Sequence, residues 1–134
     1  MIENLQLAID FGLVVLIWMV QLLIYPSFKY FTSESLSKWH EIYTRNITFI
    51  VAPMMIIQLI ISIYLAWNDL SFVNAIYFAL VILTWVTTMV IYVPLHKKID
   101  LHPDKKETCI KLTNKNWLRV VLWTTIFLLM HLIN

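Results

Sequence analysis

Two histidines and two arginines are the side chains in this sequence best suited to chemistry: His40, His96, Arg45 and Arg119. Imidazoles from two helices can ligate haem or hold copper, zinc or iron, and an imidazole can also carry a proton near neutral pH. Guanidinium groups hold negative charge and keep their own proton. His40 and His96 are therefore the candidate metal or cofactor ligands, with Arg45 and Arg119 as candidate catalytic groups beside them. Gln21, Tyr25, Tyr92 and Asn116 offer the neutral hydrogen-bonding groups that would orient a bound cofactor. Other chemistries lack their residues. There is no Cys-x-x-Cys-His, no His-Glu-x-x-His and no Glu-x-x-His, which removes covalently attached haem, the helical zinc-protease site and the carboxylate-bridged di-iron bundle. No serine shares a face with a histidine and a buried acid, so nucleophilic hydrolysis is unsupported. Cys109 stands alone and reads as a small apolar filler near a helix start.

The spacing of these residues is helical. Asp10, Val14, Ile17, Gln21 and Tyr25 recur at three to four positions, as do His40, Thr44, Ile47, Val51, Met55, Gln58 and Ser62. Asn74, Tyr77, Val81, Thr84, Thr88 and Tyr92 form a third stripe with His96 one turn further, and Asn116, Arg119, Trp123 and Phe127 form a fourth. If the stripes converge, Gln21, Tyr25, His40, Arg45, Tyr92, His96, Asn116 and Arg119 surround one cavity. Each group also has an ordinary structural role open to it. Arginines near a bilayer surface reach headgroups, and Thr84 and Thr88 can bond back to carbonyls one turn earlier. His102 and His131 fit solvent or interface positions, the latter near the outer end.

The elements that must carry these stripes follow from composition. Of 134 residues, 60% are hydrophobic and 13% charged, with one glycine, Gly12. A soluble protein has roughly a quarter charged residues, so an ordinary cytosolic enzyme, a disordered tail and a disulfide-stapled module are all excluded. Charges cut the chain into uncharged runs at 11–28, 46–68, 70–96 and 120–134. A hydrocarbon slab roughly 30 Å thick needs about 20 helical residues per crossing, which three runs meet directly. The fourth meets it once extended back through Asn116, Trp117, Leu118 and Arg119, with Arg119 snorkelling. Lipid-exposed backbone must satisfy its own hydrogen bonds, and period-two alternation is missing, so the spans are helices. The expected fold is an all-α membrane protein: one integral domain, 1–134, forming a four-transmembrane-helix up-down bundle with helices at about 4–26, 35–67, 71–96 and 104–133.

Thr32-Ser33-Glu34-Ser35 and Ser71 are the expected helix caps, and Tyr25-Pro26-Ser27 closes the first helix. Pro53 predicts a kink, Pro94 predicts a bent or opened preceding turn, and Pro103 begins the last helix. Every lysine and arginine falls in or beside the first and third connections, whereas the second has only Asp69 and the N-terminal tail only Glu3 and Asp10. The positive-inside rule then places both termini outside and the basic connections in the cytoplasm. Net charge is +2, explained by anionic headgroups as partner and not by nucleic acid. The tail lacks the basic start and cleavage site of a signal peptide, so a multi-pass protein of the cytoplasmic (inner) membrane is expected. Tyr25, Trp39, Tyr92 and Trp117 at the inner boundary and Trp67 at the outer fit aromatic belts.

Trp18-Met19-Val20-Gln21 with Tyr25-Pro26-Ser27-Phe28, Trp39-His40-Glu41 with Arg45, Ala52-Pro53-Met54, Val93-Pro94-Leu95-His96, and Asn116-Trp117-Leu118-Arg119 with Leu122-Trp123-Thr124 together resemble a group of small uncharacterised bacterial four-helix membrane proteins. Through that group the chain is loosely similar to the domain family that contains fungal anthrone oxygenases. That resemblance implies oxidation of an activated aromatic carbon by molecular oxygen, with or without a metal. Tyr25-Pro26, Arg45 and Ala52-Pro53-Met54 are also similar to bacterial membrane protoporphyrinogen oxidase, but that family's first-helix histidine is missing here.

The reading these features favour is an inner-membrane protein that binds a small lipophilic ligand or redox cofactor, with haem or a metal ion as candidates. The polar pocket lies in the cytoplasmic third and serves an oxidoreductase- or oxygenase-like reaction. Arg45 and Arg119 hold negative charge, His40 and His96 ligate the cofactor or move protons, and Asn116 with Gln21 orients the ligand. The alternative is a non-enzymatic transport or membrane-organising protein acting as a homo-oligomer.

Overall fold

A computed structural model describes residues 1–101 and 105–133. All of its regular elements are helical, and they join into four long rods: α1 (Ile2–Tyr30), α2 (Ser33–Asn68), α3 (Phe72–Leu101) and α4 (Lys106–Leu128, prolonged by a π-turn at Leu129–Ile133). The α3 rod runs on to Leu101. Residues 102–104, on which the readings of His102 and Pro103 fall, lie outside the described residues.

Local chemistry sets the starts and the interruptions. The Thr32 hydroxyl accepts from the Ser35 N–H and the Ser71 hydroxyl from the Asn74 N–H, each capping orphan donors of a first turn. Proline has no N–H and its ring crowds the carbonyl four residues back. Before Pro26 the chain opens into a π-turn at Val20–Ile24, and before Pro94 into a π-turn at Thr88–Tyr92. Both prolines thus stay within continuous rods, and α1 runs past Tyr25-Pro26-Ser27 as a short 3₁₀ turn, Phe28–Tyr30. The α2 helix continues through Pro53. Thr84 and Thr88 bond back to Val81 and Thr84 carbonyls, as the sequence suggested.

Three rods, α1, α2 and α3, are long and apolar enough to cross a membrane. The fourth is more polar because Lys111, Lys115 and Arg119 interrupt it. Its inner face nevertheless buries Leu112, Asn116, Arg119, Trp123 and Ile126 at helical spacing. Each rod packs against the two beside it in a closed ring, and successive rods alternate in direction. Gly12 sits at a close approach of α1 and α2, where a Cβ would stand 2.5 Å from the Met54 Cε. The perimeter is apolar, with Leu22, Leu23, Phe49, Ile60, Val90 and Val121 exposed, while Asp10, Gln21, His40, Gln58 and Asn116 are buried inside. This inversion of the usual soluble pattern is what a hydrocarbon solvent demands.

Candidate functional site

The four stripes meet where the π-turns lie. Tyr25 and His96 each follow a π-turn, His40 comes from the second turn of α2, and Asn116 and Arg119 come from the middle of α4. Their side chains join into one hydrogen-bonded line. Asp100 Oδ1 lies 2.6 Å from His40 Nδ1, His40 Nε2 lies 2.8 Å from His96 Nδ1, and His96 Nε2 lies 3.0 Å from the Tyr25 hydroxyl. The Tyr25 oxygen accepts from Arg119 Nη2 at 2.8 Å, and Arg119 Nε donates to Asn116 Oδ1 at 2.8 Å. Asn116 Nδ2 donates to Gln21 Oε1 at 2.9 Å, and Gln21 Nε2 donates to the Thr113 carbonyl at 3.2 Å.

The end groups fix the direction of the central segment. Arginine only donates and a carboxylate only accepts. With the Tyr25 oxygen accepting from Arg119, its proton is free for His96 Nε2. His96 then donates through Nδ1 to His40 Nε2, and His40 donates through Nδ1 to Asp100. In this pattern each histidine donates through Nδ1 and accepts through Nε2. His40 is fully buried while the Asp100 side chain is 42% exposed, so the line runs from the interior to the solvent at the lysine-rich end.

The line borders a cavity of about 340 Å³ between α2 and α3. Tyr25, Tyr92, His96, Asp100 and Arg119 are among its polar lining, so the cavity follows the line as far as its carboxylate end, and Ile47, Val51, Met55 and Met89 are among its apolar walls. Tyr92 lies flat against Arg119, with the guanidinium carbon 3.7 Å from the ring centroid, and donates its hydroxyl proton to the Lys115 carbonyl. Trp85 also lines the cavity, and its indole N–H is buried without a partner among the described residues.

The structure thus brings together Gln21, Tyr25, His40, Tyr92, His96, Asn116 and Arg119, but not Arg45, which is exposed and outside the cavity lining. Arg45 lies five residues after His40, about 140° around an α-helix, and so faces outward. Tyr25 and Tyr92 are interior side chains, 2% and 1% exposed, and not members of an aromatic belt. Asp100 was missed by the sequence reading although it lies one turn beyond His96. Its run of charged neighbours made it look like wet surface.

The pair His40 and His96 does not accommodate haem as arranged. Two axial nitrogens would stand about 4 Å apart at metal–nitrogen distances of about 2 Å, whereas these are 2.8 Å apart and share a proton, with ring centroids at 5.0 Å. A small ion would have to displace that proton, and no group of three or more His, Cys, Asp or Glu side chains suited to a metal occurs among the described residues. The donor set fits proton transfer better than metal binding.

A second polar cluster lies at the opposite end of the rods. Asp10 Oδ1 accepts from Gln58 Nε2 at 2.7 Å and from the Tyr77 hydroxyl at 3.2 Å, and Asp10 Oδ2 lies 3.0 Å from His131 Nε2. Gln58 Oε1 accepts from the Trp123 indole at 3.3 Å. His131 is thus no simple interface residue, since its side chain is only 14% exposed and pairs with a buried carboxylate.

No family model, no curated protein and no solved structure matches this chain.

Proposed function

We propose that the chain spans the inner membrane four times with both termini outside, and binds a small lipophilic molecule with an acidic or quinone-type oxygen in the cavity between α2 and α3. Proton exchange with that molecule then serves an oxidoreductase-type reaction. Support for the fourth span comes from packing: α4 lies along both α1 and α3, so a bilayer holding those two holds it as well. The orientation rests on the lysines, which gather at the Asp100 end.

One observation carries the ligand reading: a proton line with a part-exposed carboxylate at one end runs along a largely apolar cavity that also holds a buried arginine. About 340 Å³ lies in the range of small-molecule pockets and suits a single substituted ring with a short chain. Arg119 would hold a ligand oxygen, and the Tyr25 hydroxyl beside it would give or take the proton. When Tyr25 passes its proton to His96 Nε2, His96 Nδ1 passes one to His40, and His40 passes one to Asp100, which releases it to water. Arg119 stabilises the tyrosine oxygen while the charge is on it. The chain's own residues move only protons; the electrons that the bound molecule gives up or takes pass to or from a second redox reactant.

Trp85 and Trp123 line the cavity, so tryptophan fluorescence reports occupancy. Titration of the detergent-solubilised protein with tetramethyl-1,4-benzoquinone is expected to give saturable quenching beyond that of free tryptophan. Arg119→Ala should weaken binding about tenfold or more, the loss of a charge-assisted bond of roughly 1.5–3 kcal/mol. Quenching that does not saturate, or that is unchanged by this substitution, overturns the ligand reading.

A further inference from the structure

The outer cluster has no part in the reaction above, yet it is built around a buried titratable group. Asp10 is 1% exposed, and its oxygens face Gln58, Tyr77 and His131, from α2, α3 and the end of α4. A lone carboxylate inside a bilayer is costly and marks a functional position by default. Structural needs could be met by a neutral amide. His131 supplies an imidazole that reaches from Asp10 to the partly exposed end of the bundle. Gln6, one turn outward on α1 and 5% exposed, has an amide N–H₂ with no partner among the described residues, a donor that a water entering this end would satisfy.

The two clusters are almost in series. Tyr77 in the outer cluster and Asp100 at the inner exit lie on α3, separated by 23 residue steps, or about 34 Å, which matches the hydrocarbon thickness of roughly 30 Å. From the outer side the bonds run His131, Asp10, Gln58, Trp123; from the inner side they run Asp100, His40, His96, Tyr25, Arg119. Trp123 and Arg119 are one turn apart on α4 and both line the cavity. Gln58, Trp123 and Arg119 keep their protons, so the carriers that face each other across the gap are Asp10 and Tyr25, fifteen residues or about 22 Å apart along α1. The cavity, which begins at Leu16 and Ile17, covers the part of that distance next to Tyr25.

We infer that the Asp10–His131 pair is a proton-loading site for the outer face, and that the protein conducts protons across the membrane through the cavity. The inference rests on the membrane-spanning reading above. A proton from the outer solution binds His131 and passes to Asp10. Water alongside Gln58 takes it from Asp10 to the cavity, the water or ligand held there hands it to Tyr25, and it leaves from Asp100. One positive charge crosses per proton, so a membrane potential drives the flow. Gln58 and Trp123, which bond each other, carry no proton.

The test is proton flux into liposomes containing the purified full chain and an internal pH dye, with a potassium gradient and valinomycin setting the potential. Wild-type protein is expected to raise flux above protein-free vesicles. Asp10→Asn, which keeps the size and one acceptor, and His96→Gln should each cut it about tenfold or more. Asp10→Asn should leave quenching by tetramethyl-1,4-benzoquinone unchanged, because Asp10 does not touch the cavity. Should Asp10→Asn fail to fold, His131→Asn decides in its place, with the same loss expected. No wild-type flux, with or without the quinone, or flux indifferent to Asp10 and His131, overturns the inference. Flux with no saturable quinone binding would instead leave it standing and remove the ligand reading.

Discussion

In the inner cluster each side chain has one neighbour before it and one after it, from Asp100 to Gln21, whereas in the outer cluster Gln58, Tyr77 and His131 converge on the single carboxylate of Asp10. The same four rods build both. The segment from Tyr25 through His96 to His40 can shift its protons in concert, because each of these three is at once donor and acceptor. A converging knot cannot shift that way. It joins four helices through one residue and holds a proton at one address. Connectivity, more than residue type, is what separates a route from a depot here, since both clusters contain tyrosine, histidine, glutamine and a carboxylate.

The sharpest way to break this contrast is to remove the hub. Asp10→Ala deletes the partner of three hydrogen bonds, and at about 0.6 kcal/mol each inside a membrane protein the expected loss is roughly 2 kcal/mol of stability, read as the midpoint of unfolding in mixed detergent. A fall no greater than that of a mid-line deletion would mean the knot does not join the helices as drawn. Tyr25→Phe removes a mid-line hydroxyl and its two bonds. Here about 1 kcal/mol of stability should go, together with proton flux and any protonation change of the bound quinone, while the quinone still binds. Normal proton transfer in that variant would show that the line has a bypass. Smallest of all, Arg45→Ala should shift neither binding nor flux, and stability by less than about 0.5 kcal/mol, because the side chain is exposed. A loss of quinone binding there would extend the site beyond the ring of helices.

Much of the inner site was legible because two strong rules act together. Polar groups are expensive in hydrocarbon, and helices repeat every 3.6 residues, so Gln21, Tyr25, His40, His96, Asn116 and Arg119 announce both their depth and their shared face. Arg45 satisfied only the first rule; its angle from His40 was enough to set it outside. The outer knot was hidden for a different reason. Asp10 and His131 are separated by nearly the whole chain, and His131 at the end of an apolar run looks the same whether it meets water or a carboxylate. Gln58 and Tyr77 stood on the expected stripes, yet nothing in their spacing showed that they share an acceptor with them. Pairing across four rods is tertiary information. The π-turns were half legible, since Pro94 called for an opened turn while the same device before Pro26 went unread as the end of a helix.

That opened turn at Thr88–Tyr92 also works as a phase shifter. Nineteen residues separate Tyr77 from His96, and at about 100° per residue an unbroken α-helix would leave the two about 100° apart in azimuth. A π-turn absorbs about one extra residue, which cancels that offset and brings the imidazole back into line with the tyrosine of the other cluster. Proline at 94 therefore does more than survive in the rod: the distortion it requires sets the compass bearing of everything downstream, and with it which histidine looks at which.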